Sequence, residues 1–380
     1  MHIAWLGKKS PFCGNVTYSR EVTNALLDRG YDVSFLHFAQ EDSQEDLHRE
    51  LGEVPIPCLY KSQIYTIPSF KSSKILASSL RQLRPDVVHA SLTLSPLDFV
   101  LPEICDELNL PLVATFHPPF DRKLRNLTSG TQHLMYQLYA PFLANYDRVI
   151  VFSRIQQDLL VRLGVPMDRV VVIPNGVNTH KYCPGYSGFK TEIRCDRLFV
   201  YQGRIALEKN IEPMVKAWKK AEMGPNSHLV IVGDGPLKSS LKLFYGADLG
   251  IHWLGFVGDE NRRIEILQSA DVFILPSLVE GLSLSLLEAM SCGVACLATD
   301  AGADGEAIEG GAGIVLDPQR VLSQLRILLP VLRDQPELSS IMGFKARQRV
   351  LERYTLSQNI TQIESLYGSL IQQKHQLSTV

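Results

Sequence analysis

Short apolar segments alternate with amphipathic ones along most of this chain. No other feature restricts the fold as much, because a strand, a crossover helix and a second strand form a parallel unit. Strands are predicted at Ile3–Leu6, Asp32–His37, Val87–His89, Leu112–Phe116, Asp147–Phe152 and Val170–Ile173. Helices are predicted at Tyr18–Asp28, Ser73–Leu83 and Gln156–Leu163, the first and last closed by Gly30 and Gly164. Around Cys183–Arg197 the periodicity lapses into Pro, Gly, Tyr and Ser, which marks a linker. The alternation then restarts with strands Leu198–Gln202, Leu229–Val232, Ile251–Leu254, Asp271–Leu275 and Ala295–Ala298. Helices Ile211–Lys220, Pro236–Phe244, Asn261–Ser269 and Ser283–Ser291 lie between them, and about 320–373 is helical. The expected class is α/β, with two doubly wound domains at 1–185 and 190–355.

The 380 residues suffice for two such domains, and the balance of charge is −2. That near-neutrality gives no bulk nucleic-acid footprint. No apolar run is long enough to span a bilayer, and the start, Met1-His2-Ile3-Ala4-Trp5-Leu6, reads as a strand and not as a signal peptide. The seven cysteines show no C-x-x-C spacing, so reduced thiols in a cytoplasmic setting are expected.

The chemistry concentrates at strand ends. Pro276-Ser277-Leu278-Val279-Glu280-Gly281 breaks the strand at Asp271–Leu275, and Ser283 or Ser285 can cap the helix that follows. Glu280 then sits at a strand's carboxyl end and Glu288 one to two turns into the helix. Ligands of open α/β sheets bind at that edge, where a helix start favours an anion and carboxylates accept from hydroxyls. Phosphate plus hydroxyls describes a nucleotide sugar. Phe199-Val200-Tyr201-Gln202-Gly203-Arg204 runs on to Glu208-Lys209-Asn210, offering a planar fork and a point charge suited to a diphosphate. Leu229-Val230-Ile231-Val232 ends in Gly233-Asp234-Gly235-Pro236, which is either a ligand loop or a purely structural turn. In the first half, Gly14 follows the loop after the first strand, His117 stands in Thr115-Phe116-His117-Pro118, and His89 ends another strand. Phe120-Asp121-Arg122-Lys123-Leu124-Arg125, with Tyr136, Tyr139 and Phe142, reads either as a solvated loop before a core helix or as a basic, aromatic membrane surface.

Together these segments resemble the retaining glycosyltransferases of the GT-B fold, family 4. The Glu280-x7-Glu288 pair matches that family's Glu-x7-Glu signature, Gly203-Arg204 with Lys209-Asn210 its G-R-x-x-x-x-K-N segment, and Ile173-Pro174-Asn175-Gly176-Val177-Asn178 its I-P-N-G-V-D. Asn178 replaces the usual Asp, and only Gly14 remains of a usual Gly-Gly pair. The resemblance implies two Rossmann-like domains facing across a cleft, acceptor in the first and donor in the second, with the last helix, about 356–380, packing back on the first. It implies that Arg204 and Lys209 hold the donor diphosphate, Glu280 the sugar hydroxyls and Glu288 the ribose, with His117 beside the sugar. Gly14, Gly203, Gly233, Gly235, Gly281, Leu282 and Ser283 would line the donor. No Asp-x-Asp occurs, so the expectation is no cofactor and no metal, with Arg204, Lys209 and a helix start supplying the electrostatics. The implied reaction is metal-independent, front-face transfer of a hexose, from UDP-glucose or UDP-galactose, to a lipid or polysaccharide hydroxyl. An inactive nucleotide-sugar-binding partner subunit, a GT-B epimerase or a phosphorylase stay open as alternatives.

Overall fold

The computed structural model describes residues 1–40, 52–121, 123 and 127–378. By contacts the chain divides into two units, the first comprising residues up to Pro118, Met135–Pro174 and the C-terminal helix, the second Pro119–Leu134 and Asn175–Thr355.

In the first unit, β1 (His2–Gly7), α1 (Gly14–Asp28), β2 (Asp32–Ala39), β3 (Glu53–Lys61), β4 (Thr66–Pro68), α2 (Ser72–Leu83), β5 (Val87–Ser91), α3 (Leu97–Glu107), β6 (Leu112–Thr115), the part of α4 (Leu127–Leu143) from Met135 on, β7 (Arg148–Val151), α5 (Arg154–Arg162) and β8 (Val170–Val172) follow in order. The sheet order is β4-β3-β2-β1-β5-β6-β7-β8, parallel except for the β3–β4 hairpin. The order reverses between β1 and β5, so the carboxyl ends of those two strands form the natural binding edge. Sequence periodicity misses β3, β4 and α3, and gives α4 only as the core-helix reading of Tyr136, Tyr139 and Phe142. Pro55 and Pro57 interrupt the strand pattern of β3, while Pro102 and Pro141 sit inside α3 and α4.

The second unit contains α6 (Phe189–Ile193), β9 (Arg197–Gln202), α7 (Ile211–Ala221), β10 (Ser227–Val232), α8 (Lys238–Phe244), β11 (Ile251–Gly255), α9 (Glu260–Ser269), β12 (Val272–Leu275), α10 (Leu284–Ser291), β13 (Ala295–Thr299), α11 (Asp304–Ala307), β14 (Gly313–Leu316), α12 (Val321–Asp334) and α13 (Pro336–Arg353). Its six parallel strands run β11-β10-β9-β12-β13-β14 and reverse order between β9 and β12. The helices bury one stripe each. In α7, Ile211, Met214, Val215 and Trp218 point inward, and Trp218 meets Phe199 of β9 edge-on at 5.2 Å. Cys183–Arg197, expected as a linker, packs into this unit instead: Phe189 and Cys195 are buried, and Tyr182 just before them is buried too. Apolar side chains spaced too irregularly for a period still find a core.

The helical C-terminal region is three helices, α12, α13 and α14 (Leu356–Ser378). The last buries Ile360, Ile363 and Tyr367 on the first unit. Arg29, at the end of α1, ties it down by donating to Ser357 O at 2.8 Å and pairing with Glu364 at 2.5 Å.

Candidate active site

In the second unit the site grows from the strand pair at the order reversal. β9 ends in Gln202-Gly203, and Gly203 N–H donates to Val232 O at the end of β10. The two loops beyond are interlocked: Ile205 N–H donates to Asp234 O, and a Cβ on Gly233 would fall 1.9 Å from Gly203 O. With φ of 137°, Gly233 is a position where only glycine fits, and a Cβ on Gly235 would meet Ile205 O at 2.4 Å. Both glycines are therefore accounted for by backbone packing within this unit. Beyond Gly203, Arg204 pairs with Glu208.

Lys209 reaches the loop after β12. Its Nζ lies 2.5 Å from Glu280 Oε1, which also accepts from Ser277 Oγ at 2.7 Å. Ser277 is held in turn by Thr299 Oγ1, which donates to its carbonyl. Glu280 is buried, and its main chain pairs with Phe120. Ser283 caps α10 by accepting from Leu286 N, while Asn175 Nδ2 donates to Leu282 O at 2.7 Å, so Leu282 and Ser283 are both fastened.

Glu288 does not join Glu280. Its Oε2 accepts from Gln202 Nε2 at 2.8 Å at the end of β9, and burial pushes its carboxyl up to about 7 against the opposing pull of Arg263. Gln202 Oε1 is buried with no partner among the described residues.

Two features here carry no local sequence signal. Asp304 is fully buried; its Oδ1 accepts from Ser283 N at 2.8 Å, and burial, then the charge of Glu280, push its carboxyl well above the usual range. Gly302, at φ 60°, lets the chain pass where a Cβ would stand 2.1 Å from Glu280 O. Both residues lie more than twenty positions from Glu280 and come to it only because β13 adjoins β12.

His117 and Gly14 belong to the first unit. Gly14 opens α1 with nothing within 4 Å of the place a Cβ would occupy. His117, past the end of β6, keeps an exposed edge; its Nε2 lies 2.8 Å from Ser91 Oγ at the end of β5. Burial, then the Lys8 ammonium, pushes its ring down to about 3, so it is neutral. Asn15 and Ser91 complete this cluster and escaped the sequence reading. His89 is wholly buried, stacked on Trp5 at 4.0 Å and bonded to Thr115 Oγ1 and Tyr367 OH, a core residue. Tyr136 and Tyr139 are likewise core, while Arg122, Leu124 and Arg125 of the basic, aromatic loop lie outside the described residues.

No metal-holding group of three or more His, Cys, Asp or Glu side chains occurs among the described residues, and all seven cysteines are free. What the second unit assembles is a buried carboxylate ion-paired to a lysine, a second carboxylate poised near neutrality, and an arginine, at the carboxyl edge where the sheet reverses. That set can grip an anion and accept from hydroxyls.

The model of the family described as Glycosyltransferase Family 4 matches residues 13–181, and that described as Glycosyl transferases group 1 matches residues 189–349. A UDP-Gal:α-D-GlcNAc-diphosphoundecaprenol α-1,3-galactosyltransferase of Escherichia coli is 27% identical over 333 residues, 84% of each chain. Sucrose-phosphate synthase from Thermosynechococcus elongatus superposes with a TM-score of 0.80 at 20% identity, covering 97% of this chain and 98% of that one. HepE of Anabaena in complex with UDP-glucose gives 0.77 at 17%, covering 97% and 100%. Two parallel-sheet units of this topology, with the two families matching residues 13–181 and 189–349 in turn, place the chain among the GT-B glycosyltransferases of family 4.

Proposed function

We propose that this glycosyltransferase moves a hexose from UDP-glucose or UDP-galactose to a hydroxyl of a lipid-linked or polysaccharide acceptor, with retention and without a metal. The carrying observation is the Lys209–Glu280 pair, set at the carboxyl ends of β9 and β12 where the sheet order reverses. The names of the similar proteins supply the donor class: UDP-galactose for the Escherichia coli enzyme, UDP-glucose for the Anabaena complex.

In this reading Arg204 and Lys209 take the diphosphate, Glu280 and His117 contact the sugar, and Glu288 accepts from the ribose. The backbone at Gly14, Gly203 and Gly281–Ser283 lies along the donor. The bond from the anomeric carbon to the phosphate oxygen breaks as the acceptor oxygen bonds on the same face. The acceptor's proton passes to the departing phosphate, whose charge Arg204 and Lys209 stabilise more strongly than in the ground state.

A lipid-linked acceptor has support in the first unit. Around the β3–β4 hairpin, Leu59, Tyr60, Ile64, Tyr65, Ile67 and a fully exposed Phe70 face solvent. Residues 54–83 carry Lys61, Lys71, Lys74 and Arg81 and no acidic residue. Exposed aromatic and aliphatic groups among lysines suit an anionic bilayer surface on the cytoplasmic side.

Thermal unfolding against a panel of nucleotide sugars in EDTA tests the donor. A donor at 100 times its dissociation constant adds roughly 2.7 kcal/mol. The expected result is stabilisation by a UDP-hexose that survives EDTA and is lost in Arg204→Ala. Stabilisation only on adding a divalent cation, or by no UDP-sugar at all, overturns the reading.

A further inference from the structure

The cluster in the first unit defines the protonation of His117 atom by atom. Asn15, in the first turn of α1, donates from Nδ2 to Leu92 O at 2.9 Å. A peptide carbonyl only accepts, so the carboxamide cannot be reversed, and Oδ1 must point the other way. There it meets Ser91 Oγ at 2.9 Å, with Ser19 Oγ more distant at 3.5 Å. Asn15 Oδ1 also only accepts, so Ser91 must spend its single hydroxyl proton on it. The lone pair left on Ser91 Oγ faces His117 Nε2 at 2.8 Å. Only a proton on Nε2 makes that contact a hydrogen bond. A neutral imidazole carries one proton, so Nδ1 is bare, and it has no hydrogen-bond partner among the described residues.

We infer that Asn15 and Ser91 are positioning residues that hold His117 as its Nε2–H tautomer, leaving Nδ1 as an acceptor that selects a hydroxyl of a neutral donor sugar and rejects an anionic group there. The inference rests on the proposed placing of His117 beside the sugar. Its chemical content is separate: a bare nitrogen accepts from a hydroxyl and repels a carboxylate, whereas an Nδ1–H tautomer would donate to either. The direction is dictated from one end, by a backbone carbonyl that cannot change its role, and relayed through two side chains with one permitted arrangement each. Nothing in the relay depends on a ligand.

The test has two arms. In the first, long-range proton–nitrogen NMR of ligand-free protein labelled at histidine nitrogen reads the tautomer, with the His117→Gln spectrum giving the assignment among ten histidines. The wild type should show a protonated Nε2 and a bare Nδ1; Ser91→Ala should give a tautomer mixture, and Ser91→Thr should restore the single form. In the second arm, transfer from UDP-glucose and UDP-galactose is compared with transfer from UDP-glucuronate. Ser91→Ala should lower kcat/KM for the neutral donor roughly tenfold, and it should narrow the preference over the uronate, which loss of packing alone would not do. Far-ultraviolet dichroism and thermal unfolding confirm that each variant folds. A wild-type ring protonated on Nδ1, or a tautomer unmoved by Ser91→Ala, overturns the relay. If the NMR holds but neither neutral UDP-hexose is turned over, the donor reading fails and the selectivity claim falls with it, while the relay itself stands.

Discussion

Lys209 Nζ and Glu280 Oε1 are held 2.5 Å apart by loops 71 residues apart in the chain, and the carboxylate is almost closed off from water. Removing one partner of such a pair leaves a charge that solvent cannot relieve. Lys209→Met is expected to cost roughly 2–4 kcal/mol, somewhat below the fully buried case because the ammonium keeps some exposure. The double variant with Glu280→Gln should be less destabilised than the sum of the singles. Urea unfolding checks the stabilities. Calorimetric titration with the UDP-hexose should show both single variants binding at least tenfold more weakly.

On the proposed ribose contact, Glu288 should make stability and donor binding depend on pH in opposite directions. Its carboxyl rises from 4.5 to about 7 on folding, so the native state holds a proton that the unfolded chain releases. Between those values its contribution to stability falls as pH rises, by roughly 3 kcal/mol in all. Glu288→Gln removes that component, so the variant should gain on the wild type steadily from pH 4.5 to 7 in urea unfolding. Donor affinity should instead climb toward pH 7 in the wild type, because the ionised carboxylate accepts from hydroxyls. A flat affinity profile in the wild type would remove Glu288 from the ribose contact.

Burial, then the neighbouring charge of Glu280, raises the Asp304 carboxyl well above its usual range. Asp304→Asn keeps an acceptor for Ser283 N–H and should cost less than about 1 kcal/mol. Asp304→Leu strands that donor at the start of α10 and should cost about 1–3 kcal/mol. Equal losses in the two variants would show that the bond to Ser283 N–H contributes nothing.

Glycines separate fold from ligand. Gly233→Ala places a methyl 1.9 Å from Gly203 O, a backbone atom, and should destabilise by about 3 kcal/mol or more. Gly14→Ala meets open space at a helix start and should leave the midpoint of thermal unfolding unchanged or slightly raised. If donor phosphate approaches that backbone, the same variant should still lose donor affinity.

The hairpin of the first unit should bring the protein to anionic vesicles. Each lysine near such a surface contributes about 1 kcal/mol, so Lys71→Ser and Lys74→Ser should each weaken cosedimentation roughly fivefold. Phe70→Ser should weaken it further at high salt, where charge is screened. Equal binding to neutral vesicles, or binding unaltered in all three variants, would leave the acceptor without a membrane surface here.

The strand and helix alternation was readable because each element is patterned by residues a few positions apart. The same local logic offered Ser283 or Ser285 as the cap of α10, and packing chose Ser283. Where local signals collide, the pattern fails: Pro55 and Pro57 disguise β3, and Pro102 disguises α3, because a missing N–H is tolerated at particular places that only pairing and packing define. Glu280 and Glu288 form one motif by spacing with separate expected roles, and spacing could not name their partners, Lys209 and Ser277 for one and Gln202 for the other.

The sequence by itself determined the fold class, two parallel α/β sheets, and placed the charged residues at strand ends, since periodicity and punctuation are properties of neighbours along the chain. Tertiary structure alone decided that the Asp304 carboxyl is buried beside Glu280, that Gly233 is locked against Gly203, and that Asn15 meets His117 through Ser91. Proton positions and close approaches are settled by distances of a few ångströms between residues remote in sequence, and no local pattern encodes those distances.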